Sequence, residues 1–312
     1  MKLIDLHCDT IDRLMINVKE SNLRVNEFSV DIERLKKADS LAQTFALFVD
    51  TDKTNDPFEY CMRMADKFFE EMEKNKDVIS LAKNYEDIKR NESERKVSAL
   101  LSIEEGAVLE GNIDNLNKFY DLGVRMMTLT WNHKNEIGYP HNIGGDPKKG
   151  LTDFGIEVVH KMNELGMLID VSHLSDAGFY DVARLSKQPF IATHSNSRNV
   201  KNHSRNLTDD MIRTLGNKGG VTGINFFSKF LGDSEVGKVD DMIKHIKHII
   251  NVGGIDVVAI GTDFDGIDTE VEIKDISQMN KLVVALEKSG FTYDEIEKIY
   301  YKNALRVIKE VL

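Results

Sequence analysis

The stretch Leu3-Ile4-Asp5-Leu6-His7-Cys8-Asp9 predicts a buried strand with two candidate metal ligands at its far end. Alternate residues of a strand point to the same side, so His7 and Asp9 project together while Cys8 points away. An imidazole beside a carboxylate is half of a site for a zinc-class metal ion. The other half is expected at the ends of other strands.

A short apolar run, a polar loop and an amphipathic helix recur in that order along the chain. Strands are predicted at 3–6, 41–49, 96–103, 125–131, 167–171, 189–193, 220–226 and 256–261. Helices are predicted at 56–75, 113–122, 151–165, 175–185, 239–251, 276–289 and 292–311, with one more after a Thr208 cap and one or two within 11–40. This alternation, with no linker or low-complexity segment, predicts an α/β fold, a single (β/α)8 TIM barrel over residues 1–312.

The composition is that of a globular protein with a large core. The chain has 312 residues, of which 41% are hydrophobic and 30% charged. Its net charge of -11 argues against nucleic acid and anionic membranes as partners. Cys8 and Cys61 make no disulfide framework, and the sequence has no CxxC pair. No secretory h-region and no apolar run of membrane-spanning length is found, so a cytoplasmic protein is expected.

Two long polar loops interrupt this regular pattern, at 131–150 and 196–206. The first is rich in Asn, Gly, His and Pro. Loops of this length in a compact domain are usually functional or disordered.

Histidines and carboxylates stand at the ends of several predicted strands. In a barrel these ends form one ring at the carboxyl-terminal mouth, where active sites of this fold lie. Three imidazoles and two or three carboxylates can hold two zinc-class ions with one carboxylate bridging, which would acidify a bridging water and polarise a carbonyl. The pattern predicts metal-assisted hydrolysis by His7, Asp9, Glu104, His173, His194 and Asp263.

Each of these features also has a simpler interpretation. A single His-x-Asp occurs by chance, and a polar residue at a strand end often caps a neighbouring loop. The pair Glu104-Glu105 fits a solvated charge pair, and Asp263 with Asp265 fits a turn before Gly266. The joint occurrence at carboxyl-terminal strand ends favours the metal site.

The remaining histidines serve as a contrast. His160, His245 and His248 lie on predicted helices and are assigned to the surface. The role of His141, in the first long loop, is left undecided.

The motifs, taken in order, resemble the renal dipeptidase (membrane dipeptidase) family, metallopeptidase family M19 of the amidohydrolase superfamily. Each motif alone is moderately specific, and together they run nearly from end to end. They are Ile4-Asp5-Leu6-His7-Cys8-Asp9-Thr10, Gly261-Thr262-Asp263-Phe264-Asp265-Gly266, and the segments 103–106, 122–130, 165–173, 193–195, 204–210 and 303–307.

The resemblance implies a role for each matching residue. His7 and Asp9 would hold one Zn²⁺ and His173 and His194 the other, with Glu104 as the bridge. The spacing from Glu104 to the segment 123–125 selects it over Glu105.

Two further residues match family residues that act on the substrate. Asp263 corresponds to the catalytic carboxylate, which takes the proton of the metal-bridging water and passes it to the leaving amine. Arg205 corresponds to the arginine that binds the free α-carboxylate of the substrate. A solvated basic loop containing Arg205 and His203 is the alternative interpretation.

Two positions depart from the mammalian pattern. Mammalian members carry a histidine directly after the Thr-Leu-Thr motif, associated with stabilising the developing oxyanion, and this chain has Trp131 there. Either His133 takes over that role, since i and i+2 share a side in extended chain, or Trp131 lines the pocket. Phe226-Phe227 stands where the relatives carry a tyrosine, and their disulfides and lipid anchor have no counterpart here.

The implied function is a binuclear zinc dipeptidase for dipeptides with a free C-terminal carboxylate, including D-residues at that position. Other divalent transition metals are possible cofactors, and a homodimer is expected by resemblance. The nearest alternative is another amidohydrolase that cleaves N-acyl amino acids, lactones or β-lactams. A non-catalytic barrel is disfavoured because the whole ligand set is intact.

Overall fold

The strands close into a parallel barrel. The computed structural model describes residues 1–16, 21–142 and 149–312. Within these ranges β1 pairs with β2 and β9, and β2 pairs with β4, which closes the ring β1-β2-β4-β5-β6-β7-β8-β9. The predicted (β/α)8 barrel is therefore confirmed. The strands are β1 Leu3–Asp5, β2 Ser40–Phe48, β3 Ile79–Leu81, β4 Val97–Glu104, β5 Val124–Thr128, β6 Leu168–Asp170, β7 Ile191–Ala192, β8 Val221–Ile224 and β9 Val258–Ile260.

One strand was not predicted. β3 lies outside the ring and pairs with the start of β4, where Ile79 is opposite Val97 and Leu81 opposite Ala99. β5 pairs with β4 only from Leu101 onward, so the first residues of β4 leave an edge that β3 covers. Three residues are too few for an alternating pattern to be recognised in the sequence.

The helices form the layer around the barrel. Helix α3 follows the prediction closely: Asp56 caps its first turn and Pro57 occupies the first helical position. Thr208 caps α8 as predicted, by accepting a hydrogen bond from Met211 N. The helices are α1 Thr10–Ile16, α2 Ile32–Lys37, α3 Pro57–Lys74, α4 Tyr85–Ser93, α5 Ile113–Leu122, α6 Asp153–Leu165, α7 Asp176–Leu185, α8 Asp209–Asn217, α9 Ser228–Leu231, α10 Val239–Gly253, α11 Asn280–Lys288, α12 Tyr293–Glu297 and α13 Asn303–Val311.

Several predicted bounds change. The predicted helix 276–289 is a 3₁₀ turn, Ile276–Gln278, followed by α11, and the last helix contains a π turn at Lys298–Lys302. Two helices, α1 and α2, lie in the described part of 11–40. Residues 143–148 of the first long loop and 17–20 lie outside the described residues.

The two ends of the barrel differ in polarity. Side chains near the strand starts form an apolar cluster with α13, including Ile4, Leu100, Met126, Leu168 and Val221. The opposite, carboxyl-terminal ends carry the polar residues considered next. In the described residues no helix is both long and apolar enough to cross a membrane.

Candidate metal centre and active site

The structure brings the six predicted strand-end residues into one cluster. Each lies at the carboxyl-terminal end of a barrel strand or directly after it, and five are nearly or fully buried. The cluster consists of His7 and Asp9 after β1, Glu104 at the end of β4, His173 after β6, His194 after β7 and Asp263 after β9.

Glu104 divides the cluster into two groups. Its Oε2 lies 3.3 Å from His7 Nε2, which is also 3.3 Å from Asp9 Oδ2. Its Oε1 lies 3.2 Å from His173 Nε2 and 3.5 Å from His194 Nε2. The two oxygens of one carboxylate therefore face two different sets of donor atoms, the arrangement expected of a bridging ligand. We call His7 and Asp9 the first group and His173 and His194 the second group.

Some donor atoms of the cluster lack hydrogen-bond partners and suit a bound cation. His7 Nε2 and Asp9 Oδ1 are buried and have no hydrogen-bond partner in the described part of the chain. Buried polar atoms without partners are costly, and imidazole with carboxylate is a usual donor set for zinc. The residues present therefore fit zinc-class ions.

A buried carboxylate behind the cluster orients His194. Asp170 accepts hydrogen bonds from Thr193 N at 2.9 Å and, through its other oxygen, from Thr193 Oγ1 at 2.5 Å. Since the Thr193 hydroxyl donates to Asp170, it accepts from His194 Nδ1–H at 2.7 Å. This leaves the lone pair of His194 Nε2 directed at Glu104 and His173, as ligation requires.

The charges of the cluster shift one another's pKa values. Burial alone would lower the pKa of His7, but the carboxylates of Glu104 and Asp9 raise it well above its ordinary value. Burial opposes ionisation of Glu104, yet His7 and His173 lower the pKa of Glu104. Burial, followed by the charge of Arg205, lowers the pKa of His173 to about 4. The negative field that keeps a proton on His7 would equally attract a cation.

Asp263 lies beside the first group, on a turn with left-handed backbone. Its Oδ1 is 3.9 Å from His7 Nε2, and its Oδ2 accepts a hydrogen bond from Asn225 Nδ2 at 2.8 Å. Burial and, beyond it, the charge of Glu104 raise the pKa of Asp263 to about 6, against the opposing effect of His7. Gly266 closes this turn so tightly that a Cβ there would lie 2.1 Å from Asp9 Oδ2.

Arg205 is buried next to the second group, with 3% of its surface exposed. Its Nη1 donates to Ser195 Oγ at 3.0 Å and its Nη2 to the His194 carbonyl at 3.2 Å. Nε has no partner in the described residues, and no carboxylate there pairs with the guanidinium. Burial lowers the pKa of Arg205 to about 10, which leaves it charged at neutral pH. A buried, incompletely paired guanidinium is suited to an anionic ligand.

Comparisons with known proteins identify the family of this chain. A model of the family described as membrane dipeptidase (peptidase family M19) matches residues 1–312. The chain belongs to this family. The family resemblance of the sequence motifs is thereby confirmed, and with it a metallopeptidase with a metal ion as cofactor.

Two curated relatives are similar to this chain over most of its length. A protein of Klebsiella pneumoniae, described as an uncharacterized protein in the pqqA 5' region, is 36% identical over 72% of this chain and 86% of its own length. An uncharacterized dipeptidase of Schizosaccharomyces pombe is 35% identical over 69% of this chain, but the match covers 53% of the yeast protein.

Two solved structures share the fold of this chain. A metallo peptidase from Rhodobacter sphaeroides, liganded with a phosphinate mimic of the dipeptide L-Ala-D-Ala, superposes with a TM-score of 0.93 at 24% identity, covering 100% of this chain and 99% of that one. The dipeptidase AC, a metallo peptidase of family M19, superposes with a TM-score of 0.92 at 25% identity, covering 100% and 98%.

The two residues that depart from the mammalian family pattern lie in different places. Trp131 lines a cavity of about 450 Å³ together with Glu104, His173 and Asp263. His133 is not among the described residues that line it, and its Nε2 lies 3.5 Å from Asp52 Oδ2. Of the two predicted alternatives, the position of Trp131 agrees with a role in the pocket wall.

Several residues that the sequence did not single out hold members of the cluster in place. Asp170 and Thr193 orient His194, Asn225 holds Asp263, and Asn132 contacts His173 Nδ1 at 3.0 Å. Asp170 had a recognisable signal, since it ends an apolar strand just as Asp5 does.

One histidine assignment was wrong. His245, predicted at the surface, is fully buried and accepts a hydrogen bond from Ser197 N at 3.1 Å while donating to the Leu231 carbonyl at 3.0 Å. His160 is exposed as predicted, and His248 is half-buried beside Asp209. Position 245 continues the apolar face of α10, and the loop after β7 covers it.

Proposed function

We propose that this chain is a dipeptidase that hydrolyses dipeptides with a free C-terminal carboxylate, including those with a D-residue at that position, with two Zn²⁺ as cofactors. One observation carries the proposal: two groups of donor atoms share the carboxylate of Glu104 and lie beside a buried guanidinium. His7 and Asp9 would hold one ion, His173 and His194 the other, and Glu104 both. The two ions, when bound, supply Lewis-acid polarisation of the peptide carbonyl and acidification of the attacking water.

In this proposal Asp263 moves the proton. Its Oδ2 is held by Asn225, so Oδ1 remains directed toward the first group of donor atoms. A carboxylate with its pKa raised to about 6 is ionised at neutral pH and still basic enough to accept a proton. It can therefore take the proton of the attacking water and donate it to the amine that leaves.

Arg205 selects the substrate by its carboxylate. Its two terminal nitrogens are held by Ser195 and the His194 carbonyl, so the guanidinium is fixed before substrate binds. A fixed guanidinium binds a carboxylate with charge-assisted hydrogen bonds. Since Arg205 adjoins the second group of donors, a short substrate would place its C-terminal peptide bond at the metal centre.

The cavity suits a small ligand with apolar side chains. Its volume of about 450 Å³ is lined by Trp131, Phe48, Phe227 and Phe230 in addition to the polar residues. The Rhodobacter sphaeroides peptidase that shares the fold was obtained with a mimic of L-Ala-D-Ala. This supports including D-residues in the proposal.

A substrate panel tests the proposal. Zinc-loaded protein should hydrolyse L-Ala-L-Ala or L-Ala-D-Ala and should be much less active on the corresponding dipeptide amides, which lack the carboxylate. Arg205→Ala should lower kcat/KM for the free dipeptides by about 10²-fold, the loss of a charge-assisted pair of about 3 kcal/mol, and narrow the difference between free and amidated substrates. No turnover of any dipeptide by protein with two bound metals would contradict the proposal in favour of another amidohydrolase activity.

A further inference from the structure

Asn132 links the metal centre to the loop that carries Arg205. It follows β5 at the mouth, and its side-chain Oδ1 lies 3.0 Å from His173 Nδ1 and 3.2 Å from His141 Nε2. The other ring nitrogen of His141, Nδ1, is 2.8 Å from the hydroxyl of Ser204, the neighbour of Arg205. His141 N also donates to the His173 carbonyl at 2.7 Å. One carboxamide is thus held by two imidazoles.

The orientation of this carboxamide follows from the chemistry of His173. His173 Nε2 faces Glu104 Oε1 at 3.2 Å and His194 Nε2 at 3.1 Å, so as a metal ligand it must present a lone pair there. The ring proton is then on Nδ1, which donates to Asn132. The atom that accepts it must be the amide oxygen, since the amide nitrogen cannot accept.

The amide nitrogen of Asn132, Nδ2, is therefore available to a ligand in the cavity. Asn132 lines the same cavity as Glu104, Trp131 and His173. Among the described residues, Asn132 Nδ2 has no hydrogen-bond partner, whereas Oδ1 has two. The result is a neutral N–H donor, fixed in direction, in the cavity that Glu104 and His173 also line.

We propose that Asn132 is a catalytic residue that donates a hydrogen bond through Nδ2 to the carbonyl oxygen of the scissile peptide as that oxygen becomes negative. The inference rests on the proposed dipeptidase function. A preoriented donor stabilises the transition state because it needs no reorganisation when the charge develops. His133 faces Asp52 and does not line this cavity, so Asn132 supplies the donor for which the sequence suggested His133. His141 acts as a positioning residue that fixes the second lone pair of Oδ1.

Two substitutions separate donation from positioning. Asn132→Asp keeps an oxygen for His173 Nδ1–H but removes the N–H donor, whereas Asn132→Ala removes both. Asn132→Asp should retain the zinc content of the wild type and lose about 10²-fold in kcat on L-Ala-L-Ala or L-Ala-D-Ala, whichever the wild type cleaves, with KM changed less than about threefold. Asn132→Ala should lose as much in kcat and should in addition bind zinc up to about 10-fold more weakly.

Binding of a phosphinate dipeptide mimic provides a readout that does not depend on turnover. A tetrahedral phosphinate resembles the transition state, so both variants should weaken its affinity by a factor close to the loss in kcat. His141→Ala should show a smaller loss of the same kind. Thermal unfolding of each zinc-loaded variant checks that the barrel is intact.

Three results would overturn the inference. They are a kcat for Asn132→Asp near that of the wild type, phosphinate affinity unchanged in both variants, or recovery of full activity with excess zinc, which would indicate positioning of His173 alone. An active wild type with any of these results refutes the role of Asn132 and leaves the dipeptidase intact. A wild type that cleaves no dipeptide refutes the proposed function, and the inference with it.

Discussion

Gly266 is the position at which the smallest possible change should disturb the metal centre. It lies in the turn after β9, and an added Cβ would lie 2.1 Å from Asp9 Oδ2 and 2.8 Å from Asp263 Oδ1. Contacts between carbon and oxygen shorter than about 3 Å are repulsive, so in Gly266→Ala the Asp9 carboxylate must move by about 1 Å. A displacement of that size at a reacting centre can cost about 10²-fold in rate.

We expect Gly266→Ala to lose about 10²-fold in kcat/KM for dipeptide hydrolysis and to bind the ion of the His7 group more weakly. The assay combines initial rates at saturating zinc with zinc affinity measured by competition with a chelator. Gly216→Ala is the matched control, because its Cβ would meet Val257 at 2.8 Å near the end of α8, at the opposite end of the barrel. The control should lose thermal stability and keep its activity per folded molecule.

The reasoning would be refuted if Gly266→Ala kept wild-type rates and wild-type zinc affinity. That result would mean that the position of Asp9 relative to this turn is irrelevant to metal binding. A loss of activity in Gly266→Ala that only parallels a loss of folded protein, as in the control, would also contradict it.

Three further predictions concern single side chains. Asp263→Asn should keep both metals and lose at least about 10²-fold in kcat, because the amide cannot take a proton; unchanged turnover would exclude the assigned role. Thr193→Val removes the hydroxyl that orients His194, and chelator competition should show one zinc bound about 10-fold more weakly or worse, whereas equal affinities would argue against the relay. Burial lowers the pKa of His245 to about 4, so the unfolded chain takes up a proton near pH 6.5 that the folded chain accepts only near pH 4. Its stabilising contribution, complete above pH 6.5, should fall by about 3 kcal/mol toward pH 4, and urea unfolding of His245→Gln should lack this part of the pH dependence; parallel curves for the two proteins would contradict it.

The barrel was predictable because its signals are local. Each long strand is an apolar run, and each helix repeats apolar residues at a spacing of three to four, as in α3. Once the barrel is assumed, the carboxyl-terminal ends of its strands must converge, which is why His7 and Asp263 could be assigned to one cluster.

Two features that the sequence did not predict depend on contacts between distant segments. β3 exists because the first residues of β4 leave an open edge, which nothing in residues 79–81 announces. The hydrogen bonds from Thr193 to Asp170 arise from the pairing of β6 with β7, and a sequence does not give that register. The wrong surface assignment of His245 has another cause. Its position on the apolar face of α10 is visible in the sequence, but the polarity of histidine favoured the surface.

The most direct test of the central claim is a zinc titration of metal-free protein followed by dipeptide hydrolysis. Metal-free protein should be inactive on L-Ala-L-Ala and L-Ala-D-Ala, and activity should rise with added zinc and level off at two ions per chain. The same titration of Asp263→Asn should bind two ions without gaining comparable activity. Saturation at a single ion, or full hydrolysis in the presence of a strong chelator, would contradict a centre in which Glu104 serves two metals.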